Sequence, residues 1–530
     1  MKKYFWLAAI LVLGIVLRFY HNTDISLWHD EAFSALLIKY PWGEMMHRIG
    51  LDVHPPMYYI FLRLWHYLFG DSLLALRSYT VFFSAGTVFV AYGFVKEAFK
   101  NEKAALWAAL LIAINPFQLQ YATEARMYTM GAFFAVLAAF FVSKALRFQH
   151  EYYNDEKLNI PNFPRDISLK RKALWHYFGF AISVIILIYT HYYLLFTAAA
   201  ICFYALIYHI YHYRSQFRRY WLLLLSFIVI VISYFPWLKT FLFQYKQVQG
   251  GYWIPHMDKW SIPTTVWKIF IGTAADISKS STQIFVVLGV VFALYFLYKF
   301  LRKTQSFEKW LVVLCLLAPF AGAVLFALLA RLKGSDSSVY LERYFLYTAA
   351  FFSIALAVWL KEIHFKWLSV SLLVAYATVN LFAFGSYWSD INIKTRPGMN
   401  GASKFLEANV EPSHKLYVGS SFMFFNLKYY ISQFQNATNF PKPLLESGGN
   451  TTIANMPHFA GTAILVDADL LPRYSEGVRN GDTVWIVWTN GFGANKPEVP
   501  ANWTRIDERV YPEVRPYLWA NVYVSEYKVN

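Results

Sequence analysis

Five short stretches of this sequence carry residue types that could do acid–base or phosphate chemistry. SLWHDEAFSALLI, Ser26 to Ile38, sets Asp30 and Glu31 side by side just after an apolar run. DVHPPMYY adds Asp52 and His54, and NPFQLQYATEARMYTM adds Glu124, Arg126 and Tyr128. YTHYYLLF holds His191 and Tyr192, and YLERYFLYTA holds Arg343 and Tyr344. A carboxylate within hydrogen-bond reach of a hydroxyl can take its proton. A guanidinium presents a planar fork that matches phosphate oxygens. Each residue also has an ordinary use. Asp30 could cap the helix that follows it. Arg126 could snorkel or pair with Glu124, and Arg343 could anchor a span. His191 and Tyr192 could belong to an aromatic belt at a membrane surface. If Asp30 and Glu31 are helical they diverge by about 100°, so one is the worker and the other a support. Pro55 and Pro56 bar helix at His54 and favour a helix start directly after it.

The elements that must position these residues are membrane spans. The chain is 57% hydrophobic and 15% charged, whereas soluble domains are about 25% charged. Apolar runs of the roughly 20 residues a crossing needs recur near 4–20, 73–95, 104–121, 127–146, 174–190, 194–212, 221–237, 283–301, 311–330, 345–360 and 367–387. About eleven transmembrane helices are therefore expected. Pro116 interrupts the third run, and the 57–69 stretch could itself enter the membrane. MKKYFWLAAILVLGIVLRFY lacks a small-residue cleavage site and reads as an uncleaved first span. The two cysteines, Cys202 and Cys315, lie in apolar runs and argue against a disulfide framework.

The net charge of +16 records topology more than a nucleic-acid partner. Lys and Arg cluster in short loops (Lys96, Lys100, Lys103; Lys170, Arg171, Lys172; Arg214, Arg218, Arg219; Lys299, Arg302, Lys303), and basic short loops mark the cytoplasmic side. The N-terminus is then cytoplasmic, and the segments 21–72, 122–126, 238–282 and 331–344 lie outside. A loop with Gly250, Gly251 and Trp253 suits a mobile outer segment. Residues 1–387 read as the membrane domain. Residues 388–530 read as a soluble extracytoplasmic α/β domain, with helices at MNGASKFLEANV and FMFFNLKYYISQF and strands at KLYVGS, TAILVDA, DTVWIVWT and LWANVYVSEYKV.

The ordered set WHDEA, HPPMYY, EARMY, THYY, YFPWL and ERY resembles the GT-C glycosyltransferases of the protein O-mannosyltransferase and aminoarabinose-transferase superfamily. The resemblance runs across nearly the whole membrane region. It implies a GT-C fold and a polyprenyl-phosphate monosaccharide donor used on the outer face. The acceptor would be a protein, lipid or glycan, and the anomeric centre would invert. It places the reacting carboxylate at Asp30 and the phosphate contact at Arg126, with Arg343 and His54 beside them. Glu31 is the second catalytic candidate. Glu124, Tyr128, His191, Tyr192 and Tyr344 complete the expected substrate-binding set. The cofactor stays open: Asp30, Glu31, Asp52 and His54 are adequate ligands for a divalent metal, in no recognised metal spacing. Membrane lipids are the expected surroundings, with no nucleic acid. A transporter or flippase for a lipid-linked sugar, which would place polar groups at the midplane of inverted repeats, and an oligosaccharide transferase are the competing readings.

Overall fold

All eleven apolar segments lie on helices in the computed structural model, which describes residues 2–153, 167–214, 216–249, 254, 256–272, 276–332, 338–491, 494, 496–514 and 520–530. In chain order the helices are α1 (Lys2–Phe19), α2 (His29–Leu37), α3 (Trp42–Leu51), α4 (Met57–Phe69), α5 (Leu73–Ala98), α6 (Glu102–Ile114), α7 (Pro116–Ala122), α8 (Tyr128–Tyr153) and α9 (Ile167–Ile188). They continue with α10 (Leu194–Tyr213), α11 (Trp221–Gln249), α12 (Ser261–Ile271), α13 (Ser280–Lys303), α14 (Lys309–Leu332), α15 (Leu346–Lys361), α16 (Lys366–Ile391), α17 (Gly398–Asn409) and α18 (Ser421–Ile431). Gly250, Gly251 and Trp253, expected in a mobile loop, lie outside the described residues.

Among the described residues nine helices are long and apolar enough to cross a membrane, or ten if one bent pair counts as a span. The eleventh expected segment is α1, whose described apolar part, Tyr4–Phe19, is a shorter apolar helix. Large side chains such as Phe235, Leu288, Leu325 and Phe382 point away from the bundle into the surroundings, as an integral membrane protein requires. The bent pair is α6 and α7, which meet at 54°. Pro116 has no N–H for an α6 bond and pushes Asn115 into extended backbone (ψ 119°). Asn115 then caps α7 by accepting from the Gln118 N–H at 3.1 Å. The carbonyls left over at the end of α6 are met from α1, where fully buried Arg18 donates to Ala113 at 3.0 Å and Ile112 at 3.2 Å.

Between α1 and α5 the chain builds a layer of short helices, α2 to α4, at one end of the bundle. The break before α4 follows the two prolines: Pro56 is the N-cap, and the Met57 N–H is taken by the Tyr189 carbonyl at 3.0 Å. A six-stranded mixed sheet sits on this layer. Its strands are β1 (Lys415–Val418), β2 (Leu444–Glu446), β3 (Leu470–Leu471), β4 (Thr483–Thr489), β5 (Trp503–Pro512) and β6 (Asn521–Val529), in the order β3-β2-β1-β4-β6-β5. The first four are parallel, and β6 pairs antiparallel with both β4 and β5. α18 docks on α2: the Leu27 N–H donates to Tyr430 Oη at 3.0 Å, and Asn426 donates to the Leu27 carbonyl at 2.9 Å. One apolar core runs from the bundle through α2 and α18 into the sheet.

The strand expected at TAILVDA is corrected. Residues 462–464 form a turn, because their carbonyls are used by the helical layer instead of a neighbouring strand. Arg48 Nη1 donates to Ala463 at 2.9 Å and Tyr40 Oη to Ile464 at 3.3 Å. Gly461 starts the turn at φ +84°, where a Cβ would lie 2.1 Å from the Phe425 ring.

Candidate active site

Asp30 and Glu31 leave the first turn of α2 in different directions, and their surroundings differ completely. Glu31 and Arg77 of α5 are both fully buried. Arg77 Nε and Nη2 each donate to one Glu31 oxygen at 2.9 Å. The remaining Arg77 donors reach the carbonyls of Asn22, Ile25 and Ser26 at 2.6, 2.8 and 3.2 Å. Glu31 also accepts the Ala125 N–H at 2.7 Å and the Trp28 N–H at 3.3 Å. Glu31, expected as a second catalytic candidate, thus faces Arg77 and lines neither the cavity at Asp30 nor its neighbour. Its oxygens are occupied, and it ties α2, α5 and the segment before Arg126 into one frame. Asp30 is not the helix cap either, since Trp28 holds that place.

The Asp30 side chain is 24% exposed and lies between two guanidiniums, with Oδ2 3.8 Å from Arg126 Nη2 and 3.7 Å from Arg343 Nη2. Burial pushes its carboxyl up, but Arg126 and Arg343 more than offset this, and the group is held below the usual carboxylate range. Arg126 donates from Nη1 to Ser34 Oγ at 2.9 Å and to the Asp30 carbonyl at 3.2 Å. Its Nε, also buried, has no hydrogen-bond partner among the described residues. Arg343 lies over the rings of Trp28 and Tyr128, at 5.2 and 5.7 Å. The Asp30–Arg126 distance is longer than a hydrogen bond, and the Arg126 Nε donor remains for a further anion.

His54 sits in the bend before α4. Its Nδ1 is 3.0 Å from Asp52 Oδ2, and its Nε2 is 3.4 Å from Arg126 Nη2. An arginine can only donate, so the proton is assigned to Nδ1, facing Asp52. Burial raises the Asp52 carboxyl, and His54 beside it brings it below its ordinary value. Tyr59 Oη adds a second contact to Asp52 at 3.3 Å. His191 occupies the turn between α9 and α10, its ring 5.7 Å from His54 and 4.5 Å from Tyr344. Burial, with His54, Arg126 and Arg343 nearby, holds it well below the usual histidine range and therefore neutral.

Two cavities meet here. The polar one, about 60 Å³, is lined by His29, Asp30, Asp52, His54, Arg126 and Arg343, with Tyr344 at its edge. The other, about 330 Å³, is apolar and lined by His191, Tyr192, Phe196, Phe241 and Phe326. Val53, His54 and Tyr344 line both. Tyr192 offers only its ring, because its hydroxyl donates to Gln244 and receives Trp237 Nε1 at 2.9 Å. Glu124 and Tyr128 are buried behind Arg126 and Arg343 and line neither cavity. The polar cavity is closed by His458, Phe459 and Gly461 from the sheet domain. Nothing local in the sequence marked these three. Arg77 did carry a signal, as a charge early in an apolar run. Among the described residues no three His, Cys, Asp or Glu side chains group as a metal would require. Of the four candidate ligands, Glu31 faces Arg77, while Asp52 and His54 are bonded to one another.

The sequence model of the dolichyl-phosphate-mannose-protein mannosyltransferase family matches residues 53–154, the stretch that holds His54, Glu124, Arg126 and Tyr128. The whole chain is similar to the crystal structure of ArnT from Cupriavidus metallidurans bound to undecaprenyl phosphate, with TM-score 0.55 and 13% identity over 98% of each chain. The chain shares the fold of this ArnT over nearly its whole length. The apo form of the same ArnT matches with TM-score 0.55 and 13% identity, over 99% of this chain and 98% of that one. The arabinofuranosyltransferase AftD from Mycobacteria matches at TM-score 0.47 and 14% identity, over 98% of this chain and 39% of its own. No curated protein sequence gives a significant match.

Proposed function

We propose that this GT-C protein transfers a single sugar from a polyprenyl-phosphate donor to a hydroxyl-bearing protein, lipid or glycan, with inversion. The observation that carries the reading is the approach of Arg126 and Arg343 to one carboxylate, Asp30, at the seam of a polar and an apolar cavity. A lipid phosphate needs both sides of that seam. Its chain fits the aromatic groove, and its phosphate fits beside the two guanidiniums. Asp30 takes the proton of the acceptor hydroxyl. That oxygen then attacks the anomeric carbon, and the bond to the phosphate oxygen breaks. Arg126 and Arg343 hold the charge that develops on the leaving phosphate. A single displacement inverts the anomeric centre. Arrival of the phosphate also shares the two guanidiniums and frees Asp30 to act as a base, so donor binding prepares the acceptor step. A release assay for polyprenyl phosphate with the purified protein tests this reading, and a diphosphate product would overturn it.

The basic loops named above support the orientation. They lie at the bundle end reached by the C-terminus of α5, and Arg77 near its N-terminus bonds Glu31, the chain neighbour of Asp30. The positive-inside bias places the site and the sheet domain on the non-cytoplasmic face, with the N-terminus cytoplasmic. Residues 1–387 then form the catalytic membrane domain and 388–530 the outer domain.

Two measurements bear on the roles of the charges. Arg126→Ala is expected to cut transfer by about a hundredfold, the scale for removing one oxyanion contact, with Arg126→Lys intermediate because a point charge replaces a fork. Donor dependence equal to that of the native protein would remove Arg126 from the phosphate site. For pH, the working form of Asp30 is the carboxylate, and its arginine neighbours lower its pKa. Activity is thus lost only as pH falls through a value below the ordinary ~3.9. kcat/KM, which reports the free enzyme, is expected to stay flat from about pH 8 to about pH 5 as far as this group is concerned. An acid limb centred above about pH 5 would assign the base to another residue.

A further inference from the structure

The sheet domain contains a second crevice, of about 580 Å³, apart from the catalytic pocket and within the range of about 300–1,000 Å³ usual for small-ligand sites. It lies where the connectivity of the sheet reverses. From β1 the chain steps outward to β2 and β3 on one side, then returns to β4 on the other side of β1. β1 and β4 run parallel, with Lys415 beside Val484 and Val418 beside Val487. Their onward connections diverge at the carboxyl ends, and open α/β sheets bind ligands at such a point. Gly419 forms the floor, where its N–H makes the last rung to the Val487 carbonyl at 2.9 Å. A Cβ at Gly419 would lie 2.8 Å from Tyr474 Oη and 3.2 Å from Trp488 Cβ, so a side chain here would displace the Tyr474 hydroxyl.

The groups around the crevice are unspent. Tyr474 is only 6% exposed, yet its hydroxyl, aimed at the crevice beside Gly419, makes no hydrogen bond among the described residues. Arg473, Lys496 and Glu498 line the mouth with no side-chain hydrogen bond or ion pair among the described residues. Glu446 holds the Gly448 N–H at 3.0 Å with one oxygen. Two cations and two anions give no net charge. An anionic headgroup would call for an excess of cations, and an acyl chain for an apolar lining. Hydroxyl groups, each both donor and acceptor, suit a buried phenol accompanied by two cations and two anions.

We propose that this crevice is a saccharide-binding site and that it holds a glycan acceptor beside the catalytic pocket; the acceptor role rests on the transfer reading above. Gly419 leads directly into α18. His29 of the catalytic pocket packs on the Phe422 ring at 5.0 Å. The first turn of α18 thus lies between the two cavities.

The test uses the full-length protein in detergent, an array of immobilised neutral oligosaccharides as the probe, and polyprenyl-phosphate release as the measure of transfer. The native protein and Asp30→Asn are expected to be retained on the same saccharides. Tyr474→Phe, which keeps the ring and removes the hydroxyl, is expected to weaken retention about tenfold, the loss of one good hydrogen bond. Arg473→Ala is expected to weaken it similarly. The inference is overturned if the native protein retains no saccharide, or if both crevice variants bind as it does. If Asp30→Asn transfers normally while Tyr474→Phe loses retention, the transfer reading fails and the saccharide site stands. If Asp30→Asn is silent but the crevice variants bind like the native protein, the crevice inference fails alone.

Discussion

Asp30→Asn is expected to lower sugar transfer by about 10²- to 10⁴-fold, the range supplied by a positioned base, while the protein still binds a polyprenyl-phosphate donor. Asparagine has the shape of aspartate but cannot take a proton from a hydroxyl at neutral pH. It also leaves Arg126 and Arg343 without the charge that now faces both at 3.8 and 3.7 Å. Two donors freed in this way favour the donor phosphate, so donor affinity is expected to hold or rise while turnover collapses. That split distinguishes a reacting carboxylate from a structural one. Normal turnover in the purified Asp30→Asn protein would sink the role given to Asp30.

Glu31→Ala is expected to fail for a different reason. The Glu31–Arg77 pair is wholly buried, and removing one member strands the other charge, at a cost of about 3–5 kcal/mol. The Ala125 N–H loses its acceptor as well, and with it the segment that aims Arg126. The expected readout is a marked fall in the thermal midpoint of the purified protein, together with loss of transfer. Replacing both partners, Glu31→Leu with Arg77→Leu, is expected to restore much of the midpoint, because no charge is then left buried without a partner. It is not expected to restore transfer. An unchanged midpoint in Glu31→Ala would remove the pair from the framework, and adjacent carboxylates would then have to be weighed as a catalytic pair again.

These two expectations separate residues that are neighbours in the chain and identical in charge. Helical periodicity requires that Asp30 and Glu31 diverge, and it goes no further. Which carboxylate faces the cavity depends on Arg77, 46 positions beyond Glu31 and fully buried. A guanidinium reaching back from α5 captures the carboxylate on its side of α2, and the other carboxylate is left facing the cavity. Glu124 and Tyr128 show the same limit. They flank Arg126 in sequence, but the tight turn before α8 points them behind it, and only the guanidinium reaches the pocket.

The spans were legible because a membrane imposes one rule on long stretches: about 20 apolar residues in a row. Pro116 and Pro55–Pro56 were legible because proline acts on its own backbone and the residue before it, and a bent span and a helix start stand at those places. The strands at KLYVGS and DTVWIVWT were legible from local pattern. TAILVDA had the same pattern and is a turn, since Arg48 and Tyr40 claim its carbonyls from a distant helix and tyrosine.

By itself the sequence determined that the chain lives in a membrane, where its helices begin and break, and which residue types were available for acid–base and phosphate chemistry. Those properties are set by a residue and its near neighbours. Only the tertiary structure decided that Asp30 and not Glu31 faces the cavity, that Arg126 and Arg343 converge on it across more than two hundred residues of chain, and that His458 closes the pocket from the sheet domain. Charges choose partners by distance in space, and no local rule of backbone or periodicity states which distant guanidinium will arrive.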